Sequence, residues 1–274
     1  MSGYEKRISA RIRHTNISEG YCLICGQFSK LSFDHVPPKG SITITKTEQR
    51  HIGELVGESA HQIVGVKGNR GSGFKTICSL CNSKLGEDDS EVARVCRELT
   101  VRINKYFSEP YAPYNTVSIE IDVIRYMRAM VGHILSATSV EECMVPPFYT
   151  PYFSPLIEFV MGNDAAIDLT HDVYYWFYPY KRHISGKLVN FYNNGHMCLM
   201  SVLSFFPVAF LLVQKGQGIF PAHATMMKRT DKKLMLNLSF ANHDLVEFPF
   251  IELKGNQMYS CRESMCITSY PIGQ

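Results

Sequence analysis

Two cysteine pairs and the short run between them carry the residues best suited to chemistry. Cys22-x-x-Cys25 and Cys78-x-x-Cys81 offer four soft ligands. Between them lies Phe33-Asp34-His35-Val36-Pro37-Pro38, and Asn82 follows Cys81 directly. Four thiolates fill a tetrahedral zinc ion and leave no open position for water, so such a zinc is read as structural. It would pin the loop ahead of Asp34 to the helix that carries Asn82, two elements too short to build a core unaided. Asp34 supplies a hard carboxylate oxygen and Asn82 a neutral amide oxygen, the donors that hold Mg2+ or Mn2+ beside a phosphate. His35, with a pKa near neutrality, can take a proton from water. Base, metal and phosphate are the parts that phosphodiester hydrolysis needs.

The elements that must position these groups follow from local pattern. Cys22-Leu23-Ile24-Cys25-Gly26 has the form of a zinc knuckle, with Gly26 letting backbone amides turn towards the sulfurs. Leu31-Ser32-Phe33 reads as a strand that delivers Asp34 and His35. Adjacent strand residues point to opposite faces, so a shared role requires Pro37-Pro38 to break the pleat and turn both side chains to one cleft. Cys78–Asn82 opens a short helix that Gly86 ends. Asp88 and Glu91 then resemble a capping box for a second helix, with Val92, Val95, Cys96, Leu99, Ile103 and Tyr106 at helical spacing to about Phe107. Cys96, on that apolar face, reads as a buried thiol.

Between these landmarks, residues 4–14 suggest a short basic helix, Ser41–Thr47 a strand, and 51–64 partly a helix. The run Lys67–Gly73 is a basic, glycine-rich loop without a Walker pattern. Ser108–Asn115, with two prolines, is the clearest boundary. Beyond it come a helix over about 121–137, an apolar segment at 156–161, and strands at Val173–Tyr178, Leu188–Tyr192, Met197–Phe206, Val208–Gln214, Lys233–Phe240 and Glu247–Leu253. The uncharged stretch Met197–Val213 touches the lower length for a membrane helix; Pro207 and its Phe and Val content favour two buried strands instead. The aromatic run Tyr174–Tyr178 reads as a core strand, and His171-Asp172 as a capped turn. Cys261-x4-Cys266 has no partner pair and reads as ordinary thiols.

Composition sets the frame. With 45% hydrophobic and 19% charged residues the 274-residue chain is globular rather than disordered. Residues 1–110 carry 16 Lys and Arg against 12 Asp and Glu, and the remainder 12 against 13, so the basic excess lies with the cysteine pairs and suits a polyanionic partner. Met1–Arg13 is charged, has no apolar core and lacks a signal-peptide pattern. A reducing cytoplasm follows as the expected location, where paired cysteines bind metal more often than they form disulfides.

Cys22-x-x-Cys25, Asp34-His35-x-Pro37 and Cys78-x-x-Cys81-Asn82 together resemble the HNH, or ββα-metal finger, endonucleases, in the zinc-containing four-cysteine form typified by endonuclease VII. The resemblance covers about residues 20–90. It implies His35 as general base, Asp34 and Asn82 as ligands of one catalytic Mg2+ or Mn2+, and the four cysteines on structural Zn2+. The span from Gly40 to Cys78 is longer than many such motifs have, and Asn69 is a weak candidate for the middle Asn of the family name.

The expected fold class is α+β. An N-terminal ββα-metal finger with a basic arm would occupy residues 1–110, and a mostly antiparallel β domain with one or two helices residues 115–274. Expected partners are DNA, through His35, Asp34 and Asn82 and through contacts at Arg11, Arg13, Lys39, Lys67, Arg70 and Lys84, and a second copy of the chain. A regulatory ligand or protein could act through residues 115–274 in a restriction or phage-defence role. A membrane is not expected. The alternative is a zinc-ribbon binding or assembly module without catalysis, with His35 a surface residue and Asp34 capping a turn.

Overall fold

The computed structural model describes residues 17–41, 46–51, 65–68, 71–193, 196–217, 221–239, 246, 259–261 and 266–272. The fold is α+β, and every strand pairing among the described residues is antiparallel. β1 (Glu19–Tyr21), β2 (Phe28–His35), β3 (Thr47–His51), β4 (Val66–Gly68) and β5 (Gly73–Cys78) lead into the long helix α1 (Ser79–Ser108). β6 (Thr116–Glu120), α2 (Val123–Ser136) and α3 (Phe153–Val160) follow. The rest is strand: β7 (His171–Phe177), β8 (His183–Asn193), β9 (His196–Phe205), β10 (Val208–Gln214), β11 (Thr225–Met226), β12 (Lys233–Asn237), β13 (Tyr259–Cys261) and β14 (Cys266–Pro271).

β1, β2 and β5 form a small sheet, so the chain reads strand, strand, helix from β2 through β5 to α1. A nine-stranded sheet runs β11-β7-β10-β9-β8-β14-β3-β4, with β13 also on β8. β3 thus leaves the cysteine region and pairs with β14, Thr47 facing Pro271 and His51 facing Ile267, while β4 pairs with β3. One buried cluster joins Cys22 and Cys78 to Leu99, Met130, Phe210 and Ile267, so apolar packing is continuous across the proline-containing link at 109–115. Met197–Val213 forms β9 and β10, paired on either side of Phe206-Pro207. Among the described residues no helix is long and apolar enough to cross a membrane. Tyr174–Phe177 of the aromatic run lie in β7 and Tyr178 follows it; Tyr174, Tyr175, Trp176 and Tyr178 are buried. Residues 4–14, 52–64 and 247–253 lie outside the described residues, as do most of the strand expected at Ser41–Thr47 and the end of that expected at Lys233–Phe240.

The helix after Cys81 corrects the sequence reading. Gly86 does not end a first short helix, and Asp88 does not cap a second; α1 runs unbroken through both. The reason is tertiary. Leu85, Val92, Val95, Leu99 and Ile103 form one buried stripe, and burial of such a stripe outweighs a single glycine, which costs about 1 kcal/mol. Asp88 is spent on α2 instead, paired with Arg125 at 3.1 Å and Arg128 at 3.3 Å. Glu91 binds Arg94 and accepts from the backbone N–H of Asp122 at 2.8 Å, just ahead of α2. Asp122 itself caps α2 by accepting from the N–H of Arg125.

Among the described residues, nothing outside the helix's own backbone lies within 4 Å of a Cβ added at Gly86. Gly86→Ala should therefore stabilise the protein by about 0.5–1 kcal/mol, by restricting the unfolded chain and favouring the helix. Urea denaturation checks this: the midpoint rises with an unchanged slope, whereas a fall would mean the helix is strained or absent there.

Candidate metal centre and Asp-His strand end

The four sulfurs expected to share a metal are brought together. The Sγ atoms of Cys22, Cys25, Cys78 and Cys81 all lie within 4.8 Å of one another. Cys25 and Cys78 are 3.9 Å apart; the edge of a tetrahedron with zinc–sulfur bonds of about 2.3 Å is about 3.8 Å. The knuckle forms as its sequence suggests. Cys22 donates to Gln27 O, Gly26 donates back to Cys22 O, and Gly26 adopts φ +71°, where a side chain would be strained. Backbone amides face the sulfurs: Cys78 N–H to Cys22 at 3.3 Å, and Cys81 N–H to Cys78 at 3.4 Å across the first turn of α1.

The crowding splits the thiols. Cys22 is lowered to about 5 by its hydrogen bond to Cys81 and by neighbouring amides, which outweigh burial. Cys81 is raised by that same bond and by burial, and Cys25 is raised chiefly by burial. The first proton leaves easily and the next resist, because negative charges accumulate in a small volume. A dication compensates such a set, and the donors and spacing fit zinc. Cys96 is a separate buried thiol, pushed up to about 12 by burial, and Cys266 is buried with its S–H directed to Leu188 O.

β2 passes this cluster at Leu31, which faces Cys78, and runs on to Asp34 and His35. Its register with β5 slips at Phe33: Ser32 faces Ile77 and Asp34 faces Phe74, so Lys75 and Thr76 stand opposite one residue. The bulge costs Phe33 its ladder partner, and a backbone carbonyl left in that position needs a donor. Asn82 supplies it. Its Nδ2 donates to Phe33 O at 3.0 Å and to Ser32 Oγ at 2.9 Å. A carbonyl only accepts, so the amide orientation is fixed and Oδ1 is left with no donor among the described residues.

Asp34 is 4% exposed and turns inward. Its Oδ2 accepts from Ser136 Oγ at 2.9 Å and from His133 Nδ1 at 3.3 Å, both on α2, and no described residue donates to its Oδ1. His133, fully buried, reaches Asp89 Oδ1 through Nε2 at 2.8 Å. Both ring nitrogens face carboxylate oxygens, so both carry protons and the ring is an imidazolium. Burial alone would lower its pKa, but Asp34 and then Asp89 overcome that and raise it to about 10.

His35 occupies the other side of the strand, half-buried, its ring edge-on to Phe33 at 4.9 Å. Opposite it stands Gly73, where a Cβ would sit 1.9 Å from the Phe33 ring. Asp34 and His35 keep consecutive register, and the break in the pleat precedes them at the bulge rather than following them at Pro37-Pro38.

The expected basic contacts are dispersed. Lys39 is exposed in a 3-10 turn, Lys67 is exposed on β4, and Lys84 donates to Met161 O at 2.7 Å. Arg11, Arg13, Asn69 and Arg70 lie outside the described residues. His171 and Asp172 begin β7 rather than cap a turn; His171 meets Thr170 Oγ1 and Asp172 pairs with Lys215. Sequence reading missed His133, Ser136 and Asp89. His133 and Ser136 sit one turn apart on one face of α2, but nothing local connects them to Asp34, about a hundred residues earlier.

Comparison with known protein families, curated proteins and solved structures finds no match.

Two checks follow. The purified protein should carry metal, and Cys78→Ser should lose it and unfold the region around β1, β2 and β5, as read by metal content per chain and by amide exchange; a metal-free region with native protection would refute the clamp. Separately, His171 and His183 are each lowered from 6.5 to about 4 by burial, His171 also by Lys215. Between pH 6.5 and 4 the unfolded chain binds protons that the folded chain does not, so stability falls as pH is lowered through that window. The loss is roughly 2 kcal/mol per ring by pH 5. A urea midpoint that stays fixed from pH 7 to pH 5 would contradict two neutral buried rings.

Proposed function

We propose that the chain is an HNH-type, metal-dependent DNA endonuclease, with Cys22, Cys25, Cys78 and Cys81 on structural zinc. The observation that carries this reading is the clip made by Asn82. It ties the first turn of α1 to the carbonyl just ahead of Asp34, and it leaves on Asn82 and on Asp34 one oxygen each without a protein donor among the described residues. Two hard oxygens, one charged and one neutral, suit Mg2+ or Mn2+. When bound, that ion supplies positive charge to offset the developing negative charge on the leaving oxygen.

The remaining roles belong to side chains. His35, half-exposed at the strand end, takes a proton from water as the water oxygen attacks phosphorus. The bond from phosphorus to the 3′ oxygen breaks, and that oxygen takes its proton from solvent. The products are 5′-phosphate and 3′-hydroxyl ends. Because Asp34 and His35 lie on opposite faces of β2, the phosphate has to be reached from both sides of the strand end. Lys39 and Lys67, both exposed, are available to the DNA backbone. One such centre cuts one strand, so a double-strand break requires a second copy or a second encounter. Residues 115–274 would select DNA, mediate assembly or sense a signal, as in a cytoplasmic restriction or phage-defence effector.

A second reading has its own observation. Asp34 is nearly enclosed and already holds two donors, as a purely structural carboxylate would. The chain would then be a zinc-dependent nucleic-acid-binding or assembly module.

Incubation of supercoiled plasmid with Mg2+ and purified protein separates the two. Wild type should nick, and His35→Ala of equal zinc content should nick at least about 100-fold more slowly. Equal nicking by both would sink the catalytic assignment, and tight DNA binding without nicking by either would establish the binding module.

A further inference from the structure

We propose that His133, braced by Asp89 and joined by Ser136, is a positioning device for Asp34 that sets the affinity of the site for its divalent cation. The proposal rests on the nuclease reading for the identity of Asp34 as a metal ligand, and extends it to three residues outside the motif.

The argument begins with how the bonds are distributed. Among the described residues both donors to the Asp34 side chain, Ser136 Oγ at 2.9 Å and His133 Nδ1 at 3.3 Å, fall on the same oxygen, Oδ2. Two donors on one oxygen fix the carboxylate plane and spare the other oxygen. A carboxylate that ligates a metal is commonly held in this way, and loss of such a partner weakens metal binding by roughly 10- to 100-fold.

His133 could not hold this position alone. It is fully buried, and a single hydrogen bond leaves an imidazole free to rotate about its side-chain bonds. Asp89 on α1 takes the far nitrogen at 2.8 Å, so the ring is clamped between carboxylates from β2 and α1 while its own backbone belongs to α2. The helices have other ties: Asp88 already pairs with Arg125 and Arg128, and Leu85, Val92 and Met130 lie in one buried cluster. The link through His133 is therefore not needed to dock α2 on α1, whereas among the described residues it and Ser136 supply every hydrogen bond to the Asp34 side chain.

The test reads metal dependence rather than activity alone. Nicking of supercoiled plasmid is measured against Mg2+ concentration for wild type, His133→Ala, His133→Asn, Ser136→Ala and Asp89→Asn, each matched for zinc content and folded fraction. An Asn amide can reproduce the donor that Nδ1 presents to Asp34. The expected result is a rise of roughly tenfold or more in the Mg2+ needed for half-maximal nicking in His133→Ala. Ser136→Ala and Asp89→Asn should show smaller rises, and His133→Asn should recover most of the loss. A merely structural role would lower nicking by the same factor at all Mg2+ concentrations and leave the half-point in place; that outcome overturns the proposal. Should His133→Ala fail to fold, Asp89→Asn and Ser136→Ala decide it, since Asp89 is partly exposed and does not touch Asp34. If wild type does not nick, the nuclease reading fails, and Mn2+ titration of the zinc-loaded protein without DNA decides the positioning separately. One Mn2+ bound by wild type and weakened in these variants supports it, and no Mn2+ bound, or equal binding, overturns it.

Discussion

Four sulfurs within 4.8 Å of one another cannot all be thiolates without a counter-charge, and as thiols they would crowd four weak donors into one spot. That electrostatic conflict organises the region around it. A dication would resolve it, and in doing so would fix the knuckle of residues 22–26 against the first turn of α1. Once that turn is fixed, Asn82 meets the bulged Phe33 carbonyl, and the direction of Asp34 into the interior follows.

A second layer of order comes from α2. Its N-terminal half is drawn to α1 by Arg125 and Arg128 on Asp88, and its C-terminal half reaches Asp34 through His133 and Ser136. Thr76, one of the two residues that β5 sets against Phe33, donates to Ser136 O. The bulge, the helix end and the buried carboxylate are therefore one packing unit. Desolvating three charged groups is costly unless each finds its partner, and here the chain of Asp34, His133 and Asp89 leaves neither ring nitrogen unpaired.

Much of this was legible from residue order, for physical reasons. Cys-x-x-Cys is a local geometric statement, so the clustering of Cys22, Cys25, Cys78 and Cys81 could be read without a fold. The stripe from Val92 to Ile103 is equally local, and it gave the course of α1 beyond Asp88. What failed were punctuation marks that tertiary packing overrules: Gly86 lies mid-helix, and Asp88 is an ion-pair partner instead of a cap. What could not be read were encounters between distant segments. Nothing near His133 announces Asp34 or Asp89, and nothing near Thr47 announces β14. The bulge at Phe33 was hidden too, because a one-residue slip in register leaves no compositional trace.

The pairing of β3 with β14 has a consequence for how the molecule is made. Thr47 lies opposite Pro271, so this ladder closes a loop that spans most of the chain. Non-local pairings of this kind form late, because the entropy of loop closure is lost before any contact compensates for it. During synthesis from the N-terminus, the knuckles and α1 emerge long before the strand that β3 needs, and β3 waits with an open edge that invites wrong partners. β3 therefore completes its pairing with β14 only after the intervening helices and strands have been made.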